Sequence, residues 1–364
     1  MQQKRITQYF PGGNTALGFY SYWDSNINDL DRLIILKGGP GTGKSTLLDK
    51  ILREFAAEDW ETELLWCSSD AESLDGVIFR KISLGIIDGM APHLRDPHYP
   101  GVIDRLINLG DYWSEQILLQ NKEEIIALTN ENRSLFQKTY QTLAEAKKHH
   151  DDLENLYQAG MNWEALSTMT EELVQQLFSS YPLQEKGKER HRFLSALTPQ
   201  GPVNYMNELL KLAAIRYIVK GRAGTGKSTL LKRVAQEARK KGFAVDYYHC
   251  GFDPLSIDSI YIPELGICML DGTEPHEIDP SPKDIVIELF SFMSGEVYSN
   301  NLPAIKETNA LYQNNLQEAL NTLKSCKAVH DQLEKYYAQA MDFHAVEGLA
   351  TELIAEIQDY ARKK

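Results

Sequence analysis

The octapeptide Gly-x-x-x-x-Gly-Lys-Ser occurs twice in this chain of 364 residues. One copy reads Gly38, Gly39, Pro40, Gly41, Thr42, Gly43, Lys44, Ser45, with Thr46 next; the other reads Gly221, Arg222, Ala223, Gly224, Thr225, Gly226, Lys227, Ser228, with Thr229 next. A triphosphate needs many hydrogen-bond donors at short range. A glycine-rich turn lets successive backbone amides point inward, and the helix behind it adds unpaired N-terminal amides and the positive end of its dipole. Lys44 and Lys227 would bring a mobile charge to the β- and γ-phosphates, and Ser45 and Ser228 a hydroxyl ligand for Mg²⁺. One such match is expected by chance in roughly one chain of this length per hundred. Two, each directly behind a short apolar run, read as phosphate cradles.

Asp88 and Asp271 end apolar runs (Ile86-Ile87-Asp88 and Met269-Leu270-Asp271), each 44 residues beyond its cradle lysine. A carboxylate at a strand end suits a Mg²⁺ ligand beside the cradle serine, with a plain Asp-Gly turn as the structural alternative. Nucleotide hydrolases commonly place a glutamate directly after this aspartate to orient water, but here Gly89 and Gly272 follow. Three other groups are candidates for that task. His93 and His276 stand in Asp-Gly-x-x-Pro-His segments and could polarise water or serve as structural histidines. Glu264 is a third, although its counterpart in the first copy is Lys81. Asp70 and Asp253 follow the second predicted strand and suit either acceptor binding or loop capping.

These residues sit in a duplicated frame. A shift of 183 carries Phe10 to Phe193, Thr15 to Thr198, Cys67 to Cys250, Asp70 to Asp253, Asp75 to Asp258 and His93 to His276; further on, a shift of 180 carries His150 to His330, Asp151 to Asp331, Tyr157 to Tyr337 and Met161 to Met341. The spacing predicts two copies of one domain, residues 1–187 and 188–364. In each, a buried strand leads into the cradle, a helix follows, and a second strand ends at Cys67 or Cys250. Two short strands then lead to the aspartate. The rest of each copy reads as a helical hairpin, about 115–180 and 295–360. Phe136, Tyr140, Leu143, His150, Leu153 and Tyr157 make one amphipathic seam, and Leu316, Leu320, Leu323, His330, Leu333 and Tyr337 the other. Asn162 and Asp342 are the predicted N-caps of the second hairpin helices. The histidines on these seams read as interhelical groups ahead of metal ligands.

Composition sets the class. The chain is 43% hydrophobic and 24% charged, with a formal charge of −13, which opposes nonspecific nucleic-acid binding. No apolar stretch approaches the roughly 20 residues of a membrane span. The start, MQQKRITQYFPGG, lacks an apolar leader segment, so a cytoplasmic chain is expected. The cysteines Cys67, Cys250, Cys268 and Cys326 form no C-x-x-C pair and are expected as free thiols. All five tryptophans (Trp23, Trp60, Trp66, Trp113, Trp163) lie in the first copy, so their fluorescence is expected to report the first cradle.

The chain resembles the tandem P-loop NTPases, and more narrowly a little-characterised bacterial family of ATP-binding proteins of similar length. The repeated Lys-Gly-x-x-Gly-Thr-Gly-Lys-Ser loops, the Asp-Gly-x-x-Pro-His segments and the Phe-x-x-x-x-Thr-x-x-Gly openings at Phe10 and Phe193 carry that resemblance over nearly the whole chain. It implies an α/β fold of two P-loop domains, each a mostly parallel sheet flanked by helices with an extended helical hairpin. It also implies ATP binding and hydrolysis; with the serine and aspartate candidates, Mg²⁺ and an ATPase or ATP-driven switch are expected. ATP is expected over GTP, because Asn121-Lys122-Glu123-Glu124 lacks the aspartate of a guanine-reading segment. Two alternatives stand beside this reading. A small-molecule or nucleotide kinase would use Asp70 or Asp253 for its acceptor, but the arms carry almost no arginine for the transferring phosphoryl group. A noncatalytic scaffold would use the helical hairpins to bind a protein partner.

Overall fold

The computed structural model describes residues 6–274 and 277–364. The first copy opens with β1 (Ile6–Tyr9), the hairpin β2 (Gly12–Thr15) and β3 (Gly18–Ser21), and α1 (Trp23–Ile27). Next come β4 (Arg32–Lys37), α2 (Lys44–Glu54), β5 (Thr62–Trp66), β6 (Leu74–Phe79), β7 (Leu84–Asp88) and β8 (Asp104–Asn108). Its arm is α3 (Glu115–Gln120), α4 (Lys122–Gln158) and α5 (Trp163–Phe178). The second copy repeats the order with β9 (Glu189–Phe193), β10 (Ser195–Thr198), β11 (Gly201–Asn204), α6 (Met206–Leu212) and β12 (Ile215–Lys220). It continues through α7 (Lys227–Lys240), β13 (Val245–His249), β14 (Ile257–Ile262), β15 (Ile267–Asp271) and β16 (Ile285–Glu288). Its arm is α8 (Gly295–Ala340) and α9 (Phe343–Arg362).

Each copy builds a six-stranded, mostly parallel sheet, in the order β1-β5-β6-β7-β4-β8 and, identically by position, β9-β13-β14-β15-β12-β16. Only β6 and β14 oppose their neighbours. The apolar run of β4 is buried on both faces, with Ile34 and Leu36 against one helical layer and Leu33 and Ile35 against the other. Parallel pairing of β4 with β7 sets Leu36 beside Asp88, and β12 with β15 sets Val219 beside Asp271. The register thus brings each strand-end aspartate to the mouth of a glycine-rich loop.

The arms cross over. Expected as hairpins that project from, or pack on, the α/β core, they instead complete each other's cores. Leu166, Val174 and Phe178 of α5 enter the core of the second sheet beside Leu230, Leu231 and Val234 of α7. Val346, Leu349, Leu353 and Ile357 of α9 do the same for the first sheet beside Leu47, Leu48 and Ile51 of α2. The first core thus includes α9 from the end of the chain, and the second includes α5, which precedes the repeat boundary at 187. Asn162 and Asp342 cap α5 and α9 by accepting from Ala165 and Ala345 amides at 3.1 and 3.0 Å, as their positions predict.

Between the cores, α4 and α8 pack antiparallel along the predicted seams, with Phe136, Tyr140 and Leu143 meeting Tyr312, Leu316 and Leu323. Reciprocal contacts reveal a pseudo-twofold axis. Phe10 and Phe193, equivalent residues, exchange backbone hydrogen bonds with each other at 2.9 and 3.0 Å. Ser114 donates to Ala340 and Ser294 to Gly160, both at 2.8 Å. Such self-complementary contacts are the signature of a twofold dimer, achieved here within one chain. Among the described residues no helix is long and apolar enough to cross a membrane.

Candidate functional site

The two glycine-rich loops have the same local geometry. Gly43 and Gly226 cap α2 and α7 in the left-handed region, at φ +88° and +93°, and Gly41 and Gly224 both sit at φ +69°. Those conformations favour glycine. Thr42 donates its hydroxyl to Gly39 and Thr225 to Arg222, at 2.8 and 2.7 Å, closing each loop on itself. The Lys44 ammonium donates to the Gly38 and Gly39 carbonyls at 2.9 and 2.8 Å, and Lys227 to Gly221 and Arg222, both at 2.8 Å. Each lysine is thereby held over the centre of its own loop.

Asp88 Oδ2 lies 3.5 Å from Lys44 Nζ, and Asp271 Oδ2 lies 3.5 Å from Lys227 Nζ. The other oxygen of each accepts an amide, from Met90 at 2.8 Å and from Thr273 at 2.9 Å. Burial pushes both carboxyls above the usual range, against the pull of the adjacent lysine. Ser45 Oγ accepts from Leu74 N and Ser228 Oγ from Ile257 N, each at 3.0 Å, joining loop, helix and the next strand. Lysine and aspartate therefore meet in both copies, and the serine next to each lysine in sequence bonds to the following strand. These donors suit a phosphate with a divalent cation: an ammonium, a hydroxyl and an undercompensated buried carboxylate around a loop whose glycines leave backbone accessible.

The other predicted groups divide. His93 is buried, its Nε2 3.2 Å from Asp75 Oδ2, beside the rings of Trp23 and Phe19. Burial pulls its pKa down, but Asp75 and Asp88 together turn the net direction upward. Its buried Nδ1 has no hydrogen-bond partner among the described residues, and Asp75 holds the ring within the field of the strand-end aspartate. His276 lies outside the described residues. Glu264 stands in the turn after β14, its carboxylate accepting from Ala244 N at 3.1 Å. Because β14 starts at its Ser228 contact and runs away from it, Glu264 falls at the opposite end of the strands from the loop. The four cysteines are free thiols.

The arms bring residues that sequence reasoning did not place here. Asp70 pairs with Lys327 of α8 at 3.4 Å, and Asp253 with Lys147 of α4 at 3.3 Å. A Cβ on Gly41 would lie 2.5 Å from the Glu334 carbonyl oxygen, and one on Gly224 2.5 Å from that of Glu154. Each loop is thus roofed by the backbone of the other copy's long helix. His330 Nε2 is 3.5 Å from Glu334 Oε1, and His150 Nδ1 is 3.8 Å from Glu154 Oε1. One ligand atom each from His150, Asp151 and Glu154 gathers within 4.8 Å. Trp163 of α5 lies over Gly226, so tryptophan fluorescence samples the second loop as well as the first. The signal in the sequence was the repeated His-Asp-x-x-Glu of the two arms. What it lacked was the crossing.

Comparison with protein-family models, with curated proteins and with solved structures finds no match to this chain. What stands is a mixed α/β protein of two six-stranded, mostly parallel sheets flanked by helices.

Proposed function

We propose that the chain is an ATP-binding protein with two P-loop sites, a Mg²⁺-dependent ATPase or ATP-driven switch. One observation carries this reading: in both copies a Gly-x-x-x-x-Gly-Lys-Ser loop joins a buried strand to a helix, with an aspartate from the adjacent parallel strand 3.5 Å from the loop lysine. The cradle amides, Lys44 or Lys227, and the helix N-terminus would hold the phosphates. Ser45 with Asp88, and Ser228 with Asp271, would hold Mg²⁺, which neutralises phosphate charge when bound. Asp70 and Asp253 are each paired with an arm lysine, which favours a joint between arm and core over acceptor binding. The seams of α4 and α8 occupy each other, leaving less apolar helix surface for a protein partner.

ATP with Mg²⁺ at 100 times its Kd should stabilise the fold by roughly 2.7 kcal/mol per site, seen as a higher melting temperature. Lys44→Ala and Lys227→Ala should each remove part of the shift. An unchanged melting temperature in the wild type at millimolar Mg-ATP would overturn the reading.

A further inference from the structure

We infer that each P-loop site takes its catalytic carboxylate from the other copy: Glu334 acts at the Lys44 loop and Glu154 at the Lys227 loop. This rests on the nucleotide-site reading above and supplies what the Asp-Gly ends of β7 and β15 lack. Glu154 and Glu334 are the arm residues whose own backbone roofs the loops, closing on Gly224 and Gly41. Their side chains are half-exposed, at 36% and 41%, and so open to water. Glu334 lies 3.5 Å from His330 one turn away and Glu154 lies 3.8 Å from His150, while two turns away Lys327 is anchored on Asp70 and Lys147 on Asp253.

The two carboxyls feel their own loop lysines, but shift in opposite directions. Lys44 is among the cations that draw the Glu334 carboxyl down, after the hydrogen bond from His330. Burial raises the Glu154 carboxyl against the pull of Lys147 and Lys227, with Asp151 and Asp253 adding to the rise. In the step proposed, the oxygen of a water molecule bonds to the γ-phosphorus while the bond from phosphorus to the bridging oxygen breaks. ADP leaves with that electron pair, and the glutamate accepts the water proton before returning it to phosphate or solvent. Because the arms cross, neither copy could perform this step alone.

The test uses the full chain and Mg-ATP, reading phosphate release together with the melting shift. Glu154→Gln with Glu334→Gln should lower kcat by about 100-fold or more, with KM and the ATP-induced melting shift retained. The crossing predicts a specific epistasis. Glu154→Gln should add nothing to Lys227→Ala, yet abolish the turnover left in Lys44→Ala. Wild-type turnover in the double glutamine variant, or Glu154→Gln behaving as a lesion of the Lys44 site, overturns the inference. So does a wild type that binds ATP without hydrolysing it, a result that leaves the binding reading intact. A wild type without any melting shift removes the binding reading itself.

Discussion

Tyr22 of the first copy stacks on His249 of the second at 4.3 Å and on His191 at 5.7 Å, and its hydroxyl donates to the Pro254 carbonyl at 2.7 Å. His249 Nδ1 also lies 2.7 Å from that carbonyl, which can only accept, so Nδ1 carries the proton. Neutral His249 then receives the His191 Nδ1 proton at Nε2, across 2.8 Å. Burial and the neighbouring His191 push the His249 pKa down to about 4. The unfolded chain binds that proton first, near pH 6.5, so the contribution is complete above about 6.5 and is lost as pH falls toward about 4. At the extreme it amounts to on the order of 3 kcal/mol. His249→Gln should therefore show a flatter stability profile than the wild type between pH 6.5 and 4 in urea unfolding. Parallel profiles would contradict this account of the joint.

At the scale of elements, α9 docks on a sheet some three hundred residues upstream. Burying Val346, Leu349, Leu353 and Ile357 contributes on the order of 10 kcal/mol at about 1.5–3 kcal/mol per large side chain. Leu353→Ala, at a fully buried position, should cost about 2–5 kcal/mol. Trp60 and Trp66, which pack on the same core, should report it as an earlier urea transition. A loss below about 1 kcal/mol would mean that α9 does not close the first core. The sequence made part of this legible. Lysine, serine and aspartate could be read because a glycine-rich turn and an apolar strand end each state their own local geometry. The caps at Asn162 and Asp342 were readable for the same reason. The edge strands β1, β8, β9 and β16 were not, being short and partly polar. The crossing was not readable either, since an apolar stripe says that a helix is buried but not against which of two like cores.

For the whole molecule, the pseudo-twofold axis turns a duplication into mutual dependence. Each sheet is completed by the other copy's second hairpin helix, and each glycine-rich loop is roofed by the other copy's long helix. Buried charge crosses the same axis: Arg192 of β9 stacks over Tyr9 at 4.2 Å and lies 3.6 Å from Glu63 of β5. Burial opposes ionisation of Glu63, but Arg192 and Arg80 hold its carboxyl down at about 2. Under the proposed reading, a ligand held at one loop would meet an arm rooted in the other core, the geometry by which two sites can be coupled. The most direct test of the central claim is a calorimetric titration of the full chain with ATP in the presence of Mg²⁺. Two nucleotides should bind per chain, falling to one in Lys44→Ala or Lys227→Ala and to none when both are replaced. A wild-type chain that binds no nucleotide, or only one, would contradict it.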